Sequence, residues 1–190
     1  MKAIQAVIFS ALVFGVCADD FRVAADGGRA EIQQSIDAAA AAGGGRVVVT
    51  PGVHPIGTLR LKSHVELHLE EGAVLLGSTN RADYEEFPVE VCSVSPGNDK
   101  CSLVMAWDAE GIAITGKGTI DGQGPAFYDR RPPRGHWPKP KSGFRPHMIR
   151  FIRCRGVRLE GVTFRDSPHW TMFIRSKSKS WETLNQSVPK

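Results

Sequence analysis

Residues 111–124, GIAITGKGTIDGQG, limit the possible folds more than any other stretch of the chain. Ile112 and Ile114 alternate with small or polar residues, a period of two that marks a strand with one buried face. Gly116 and Gly118 then mark a sharp bend with no room for side chains. Thr119-Ile120 resumes the strand before the turn signal Asp121-Gly122. The same grammar recurs upstream at residues 63–76 (SHVELHLEEGAVLL) and downstream at 155–164 (RGVRLEGVTF). Val65, Ile112 and Val157 lead the three copies, 47 residues (112 − 65) and 45 residues (157 − 112) apart. Leu103–Trp107 and Met148–Ile152 are further apolar runs between them. The expected unit is therefore about half of that spacing, within the roughly 20–50-residue range of repeat architectures. Short strands, recurrent glycines and no helix between copies predict an all-β fold, a right-handed parallel β-helix whose coils stack strand on strand. A sandwich would need hairpin dipeptides between neighbouring strands, and these are scarce.

A stack of coils has raw ends. Ile32, Ile36 and Ala39-Ala40 form an apolar stripe on a predicted helix over residues 29–42, closed by Gly43-Gly44-Gly45, so this segment reads as an N-terminal cap. The triple glycine follows a helix and has no Gly-Lys-Ser/Thr after it, which excludes a phosphate loop. Val47-Val48-Val49 is the first expected strand. Residues 1–18 carry Lys2, an apolar run from Ala3 to Val16 and a small-residue site at Val16-Cys17-Ala18, the pattern of a secretory signal too short to span a membrane. The expected location is secreted or periplasmic, with no membrane insertion after cleavage. Alternation stops after Ile174, and residues 175–190 (RSKSKSWETLNQSVPK) read as a polar tail on a β-helix cut short. The expected division is signal 1–18, β-helix 19–174 and tail 175–190.

The 190 residues, 42% hydrophobic with a net charge of +4, suit one ordinary domain. Beyond Cys17 there are Cys92, Cys101 and Cys154, with no CxxC or histidine spacing, so no metal and no cofactor is expected. A Cys92–Cys101 disulfide across the loop SVSPGNDK is feasible in an oxidising compartment, while Cys154 is expected in the core beside Phe151 and Val157.

Four stretches together carry a resemblance to a known family: AEIQQSIDAAAAAGGGRVVVTPGVH, LKSHVELHLEEGAVLLGS, GIAITGKGTIDGQG and RPHMIRFIRCRGVRLEGVTFRDSPHWTMFI. They resemble the pectin-degrading glycoside hydrolases of family 28, the polygalacturonase-like enzymes of the pectate-lyase-like β-helix superfamily, over about residues 21–174. The first two stretches are common to many β-helix proteins; GTIDGQG and EGVTFRDSPHW are much more specific. The resemblance implies inverting hydrolysis of α-linked galacturonic acid chains without a cofactor, with acidic pectic polysaccharide as partner.

Inverting hydrolysis needs a carboxylic acid and a carboxylate base roughly 6.5–9.5 Å apart. The family carries these in Asn-Thr-Asp and Asp-Asp motifs, followed by Gly-His-Gly and Arg-Ile-Lys, and none follows Trp170 here. No catalytic residue is assigned, and the chain is expected to be an inactive N-terminal fragment. Asp121 and Asp166 share a phase of the repeat and were they catalytic would stand two strands apart, near 10 Å. Both also precede turn residues, and the turn role is the expectation.

Residues 122–146 hold Arg130, Arg131, Arg134, Lys139, Lys141 and Arg145 among prolines, with Tyr128, Trp137 and Phe144. Such a loop either grips a polyanion by charge pairing and ring stacking or is simply solvated. No nucleic-acid-binding motif accompanies it, so no nucleic acid is expected. Arg145 adjoins a strand and resembles the start of the family's Arg-Pro segment. His169 follows a strand end where the family builds its cleft floor. These two are the substrate-binding candidates. Trp170 is expected in the core, and His64 and His68 outside it. A monomer is expected. Two further classes fit the same fold: a pectate lyase, which would need clustered acidic calcium ligands that are not visible, and a non-catalytic carbohydrate-binding β-helix.

Overall fold

The computed structural model describes residues 20–88, 100–129, 139–141 and 143–175. The expected signal, Cys92 with its disulfide, Arg130, Arg131, Arg134, Trp137 and residues 176–190 lie outside the described residues.

Strand β1 (Asp20–Val23) precedes helix α1 (Arg29–Ala41), so the first strand comes before the cap, not at Val47. Ile32, Ile36 and Ala39 are the buried stripe of α1, and Gly43 and Gly44 end it with positive φ angles of 93° and 133°. Four coils follow. The first is β2 (Gly45–Val49), β3 (Gly52–Ile56) and β4 (Leu59–Arg60). The second is β5 (Val65–Leu69), β6 (Ala73–Gly77) and β7 (Ser102–Trp107). The third is β8 (Ala113–Gly116), β9 (Thr119–Asp121) and β10 (His147–Ile152). The last is β11 (Arg158–Glu160), β12 (Thr163–Arg165) and β13 (Met172–Arg175).

All strand pairs are parallel and form three sheets: A (β1-β2-β5-β8-β11), B (β3-β6-β9-β12) and C (β4-β7-β10-β13). This is the right-handed parallel β-helix, the hand that parallel crossovers favour. Like stacks on like inside it. Val47, Leu67, Ile114 and Leu159 are register partners along sheet A, and Leu59, Val104, Ile149 and Met172 along sheet C. These belong to one core cluster, with Cys154, as expected, buried beside it. Burial pushes the Cys154 thiol up. At the first coil of sheet B the inner position is His54, fully buried, whose ring nitrogens lie 2.6 Å from Gly27 O and 2.8 Å from Thr50 O. His54 thus ties the loop before α1 to the turn after β2.

The expected half-length unit is wrong. Glu66 pairs with Ala113, and Ala113 with Arg158, so each long recurrence is a single coil. The runs at Leu103–Trp107 and Met148–Ile152 are the third side of the same coil, not extra turns. The first coil, from Gly45 to Val65, has the short length, and the last matches it from sheet A to sheet C, Arg158 to Met172. The additional residues of the next two all sit between sheets B and C, after Gly77 and after Asp121. Length variation is thereby confined to one corner of the helix, and a rigid scaffold with loops at one edge is where binding groups collect.

Candidate functional site

The corner between sheets B and C assembles from four segments: 81–88, 122–129, 143–147 and 166–170. Glycine chemistry brings two of them together. Gly122 N–H donates to Arg165 O (2.9 Å) and Gly124 N–H to Asp166 O (2.7 Å). A Cβ on Gly122 would lie 2.5 Å from Pro168 Cδ, and one on Gly124 2.8 Å from Asp166 O. The Asp-Gly-Gln-Gly stretch is therefore glycine-rich because the Asp-Ser-Pro-His stretch of the next coil lies directly against it.

Phe144 is the centre around which the corner packs. Its ring meets Tyr84 edge-on (5.2 Å between centroids) and Phe127 (6.0 Å), and the Arg81 guanidinium lies 5.2 Å from its centroid. Burial pushes the Tyr84 hydroxyl up, and it donates to Ser78 O at 2.6 Å.

Arg145 is half-buried here. Its Nη1 donates to Tyr128 Oη (2.6 Å), and Tyr128 Oη in turn donates to Pro168 O (2.9 Å). Arg145 is thus linked through Tyr128 to the segment that carries His169. His169 is half-buried, with its ring 4.8 Å from that of His147 and stacked on Trp170 at 6.3 Å and 12°. Trp170 is 59% exposed, which overturns its expected place in the core. It ends a turn just before β13, so its ring is directed outward from the coil rather than into it. Trp170 and His147 both reach Phe173, each 6.3 Å away. The site therefore runs from Arg145 and Tyr128 through His147, His169 and Trp170 to Phe173. Sequence reasoning missed His147 and Phe173 and named Tyr128 only as one of the loop's aromatics.

The two aspartates take the turn role. Asp121, 7% exposed, accepts from Gln123 N–H (2.8 Å) and from Arg165 Nε and Nη2 (3.0 and 2.6 Å). Asp166 has φ of 49° and gives its carbonyl to Gly124. Arg165 is the register partner of Asp121, so Asp121 and Asp166 belong to adjacent coils and not to coils two strands apart. Lys139 and Lys141 extend a short loop that returns to Phe127 and Asp129 through Lys141 N–H and Lys139 O, both at 2.9 Å. His68 faces outward on sheet A, as expected. Among the described residues no cluster of three or more metal-ligating side chains occurs, and no helix is long and apolar enough to cross a membrane.

The fold is a right-handed parallel β-helix that carries aromatic and cationic side chains at one corner. No protein-family model matches the chain. A polygalacturonase of Ralstonia solanacearum is 31% identical over 60% of this chain and 24% of its own length. An exo-poly-α-D-galacturonosidase of Dickeya chrysanthemi is 41% identical over 49% of this chain and 16% of its own length. The solved family 28 exopolygalacturonase of Yersinia enterocolitica superposes with a TM-score of 0.58 at 23% identity, covering 78% of this chain and 35% of that one, a likeness of fold. The chain spans about a quarter of the length of the first curated relatives it matches, 24% and 26%. Over that span it is similar to polygalacturonases.

Proposed function

We propose that this chain forms the substrate-gripping part of a hydrolase of pectic polysaccharide, acting on α-linked galacturonic acid by inversion. The observation that carries this reading is the exposed Trp170 stacked on His169 at the loop-bearing corner of a polygalacturonase-like β-helix. An exposed indole offers a flat apolar face to the C–H face of a sugar, and Arg145, fixed by Tyr128, offers a cation to its carboxylate. Arg145 and His169 are accordingly the proposed substrate-binding residues, and export from the cytoplasm is the proposed location.

Chemistry by inversion needs two carboxylates held apart with room for a water. In the described corner Asp121 is committed to Arg165 and to its own turn, so the acid and base of such a reaction are not assembled from it. The chain as given is proposed to bind without cutting. The test is to pass the 190-residue chain over immobilised polygalacturonate and to assay the eluate for new reducing ends. Retention that salt reverses, with no reducing ends, is expected. Passage without retention overturns the binding proposal, and release of reducing sugar overturns the absence of cutting.

A further inference from the structure

Arg150 is a buried cation with no carboxylate. It lies on β10, with Met105 of β7 and Phe173 of β13 as register partners. Its neighbours in the strand, Ile149 and Phe151, enter the main core, whereas Met105 and Ile152 join Phe87, Trp107 and Phe173 in a second cluster on the outer side of sheet C. The guanidinium sits between two of those rings, 5.2 Å from the centroid of Phe87 and 5.2 Å from that of Phe173.

Arg150 is 2% exposed, and its Nε and Nη1 are enclosed with no hydrogen-bond partner. The two rings engage the guanidinium by cation–π attraction. They do not satisfy its N–H groups, and an arginine side chain cannot shed its proton to escape the cost. Arg153 grips Asp108 through two nitrogens, Arg165 grips Asp121, and Arg158 bridges Glu66 and Glu160; Arg46 and Arg145 each leave only Nε enclosed and unpartnered, whereas Arg150 leaves both Nε and Nη1. Phe173, which flanks the guanidinium fork of Arg150, also reaches Trp170.

We infer that Arg150 is the residue that recognises a carboxylate on the bound sugar, through paired N–H donors, while Phe87 and Phe173 fix the plane of the fork. This rests on the polysaccharide reading above and extends its site from the corner onto the outer face of sheet C. Arginine suits the task because its planar donors match the two oxygens of a carboxylate.

The test compares binding of a galacturonic acid oligomer with that of its methyl ester, by calorimetry, to the wild-type chain and to Arg150→Met, with melting temperatures measured alongside. The wild type is expected to prefer the acid by about tenfold or more. Arg150→Met is expected to lose most of that preference, keeping only what Arg145 contributes, and to melt at the same or a higher temperature, because it removes an unpaired buried charge. Arg150→Lys keeps the charge but loses the fork, and its preference is expected to fall; if Arg150→Met does not fold, this variant decides, and an undiminished preference overturns the inference. A tenfold preference retained in Arg150→Met also overturns it, as does a lowered melting temperature, which would make Arg150 structural. Equal binding of acid and ester by the wild type overturns the role of Arg150 while sugar binding stands. Binding of neither overturns the polysaccharide reading itself and this inference with it.

Discussion

The outer faces of sheets A and C ride on the same coils and treat charge in opposite ways. On sheet A, most charges pair with one another, although Arg46 Nε is enclosed without a hydrogen-bond partner. Arg158 donates from Nη2 to Glu66 Oε2 (3.1 Å) and from Nη1 to Glu160 Oε2 (3.0 Å), and Arg46 Nε lies 3.8 Å from Glu66 Oε1. Thr115 Oγ1 spends its single hydrogen on Glu66 Oε1 (2.6 Å) and so accepts from His68 Nδ1 (2.7 Å). On sheet C, cations lie on rings: Arg60 sits 3.6 Å from the Trp107 centroid and Arg150 between Phe87 and Phe173. A groove of about 580 Å³, lined by Arg46, Glu66, His68, Thr115 and Arg158, lies on sheet A. Shape alone would choose that groove. Hydrogen-bond valence favours the other face, since most donors and acceptors of sheet A already answer one another.

The comparison assumes that both faces share one rigid coil, and the largest effect should appear where that assumption is broken. Gly116 ends β8 with φ of 103°, and a Cβ there would lie 2.0 Å from Leu69 O. Gly116→Val is expected to cost more than about 3 kcal/mol and to abolish folding and sugar binding together. Urea denaturation followed by tryptophan fluorescence checks it. A variant that kept its binding while losing stability would mean that the sheet C face holds its shape independently of sheet A.

Glu66 is the hub of the sheet A network, so Glu66→Ala separates the faces. Loss of its oxygens leaves Arg158 and Thr115 without their shared acceptor, at a cost of about 1–2 kcal/mol given partial exposure. Affinity for polygalacturonate should stay within about twofold. A larger loss of affinity would place ligand on sheet A and reverse the comparison. On the other face, Trp170→Ala is expected to change stability by no more than about 0.5 kcal/mol, because the ring is mostly exposed. It is also expected to weaken sugar binding by about tenfold, measured by the same calorimetry.

How much of this was legible in sequence divides along the same line. The strands were legible because alternation at period two is local: Val65-Glu66-Leu67-His68-Leu69 and Ala113-Ile114-Thr115 display their inward and outward faces directly. The coil length was not, because nothing local distinguishes the third side of a coil, such as Ser102–Trp107, from the first side of another. Trp170 was misplaced for a related reason. A large aromatic beside a strand is usually buried, and only the turn at Asp166–His169 directs it outward. Arg145 and His169 were named singly as candidates, and their link through Tyr128 and Pro168 spans two coils. Arg150 was hidden altogether, since its oddity lies in a partner that is missing from three dimensions, not in any pattern along the chain.

The smallest effect concerns pH and tests sheet A alone. Burial lowers the pKa of His68 below its ordinary value, and Arg46 adds to this, against the opposing pull of Glu66 and Glu70. The unfolded chain therefore binds the proton more readily than the folded one. The stability that neutral His68 contributes is complete above the unfolded value, roughly 6.5, and is lost as pH falls from there through the lowered folded value. His68→Gln keeps a donor for Thr115 and removes the titration. Between pH 7.5 and 5.5 the wild type should lose about 1–3 °C more in melting temperature than this variant. Parallel losses in the two proteins would show that His68 does not couple protonation to folding. Sugar affinity compared between the two proteins at pH 5.5 should be equal, because the histidine belongs to the face whose charges answer only to one another.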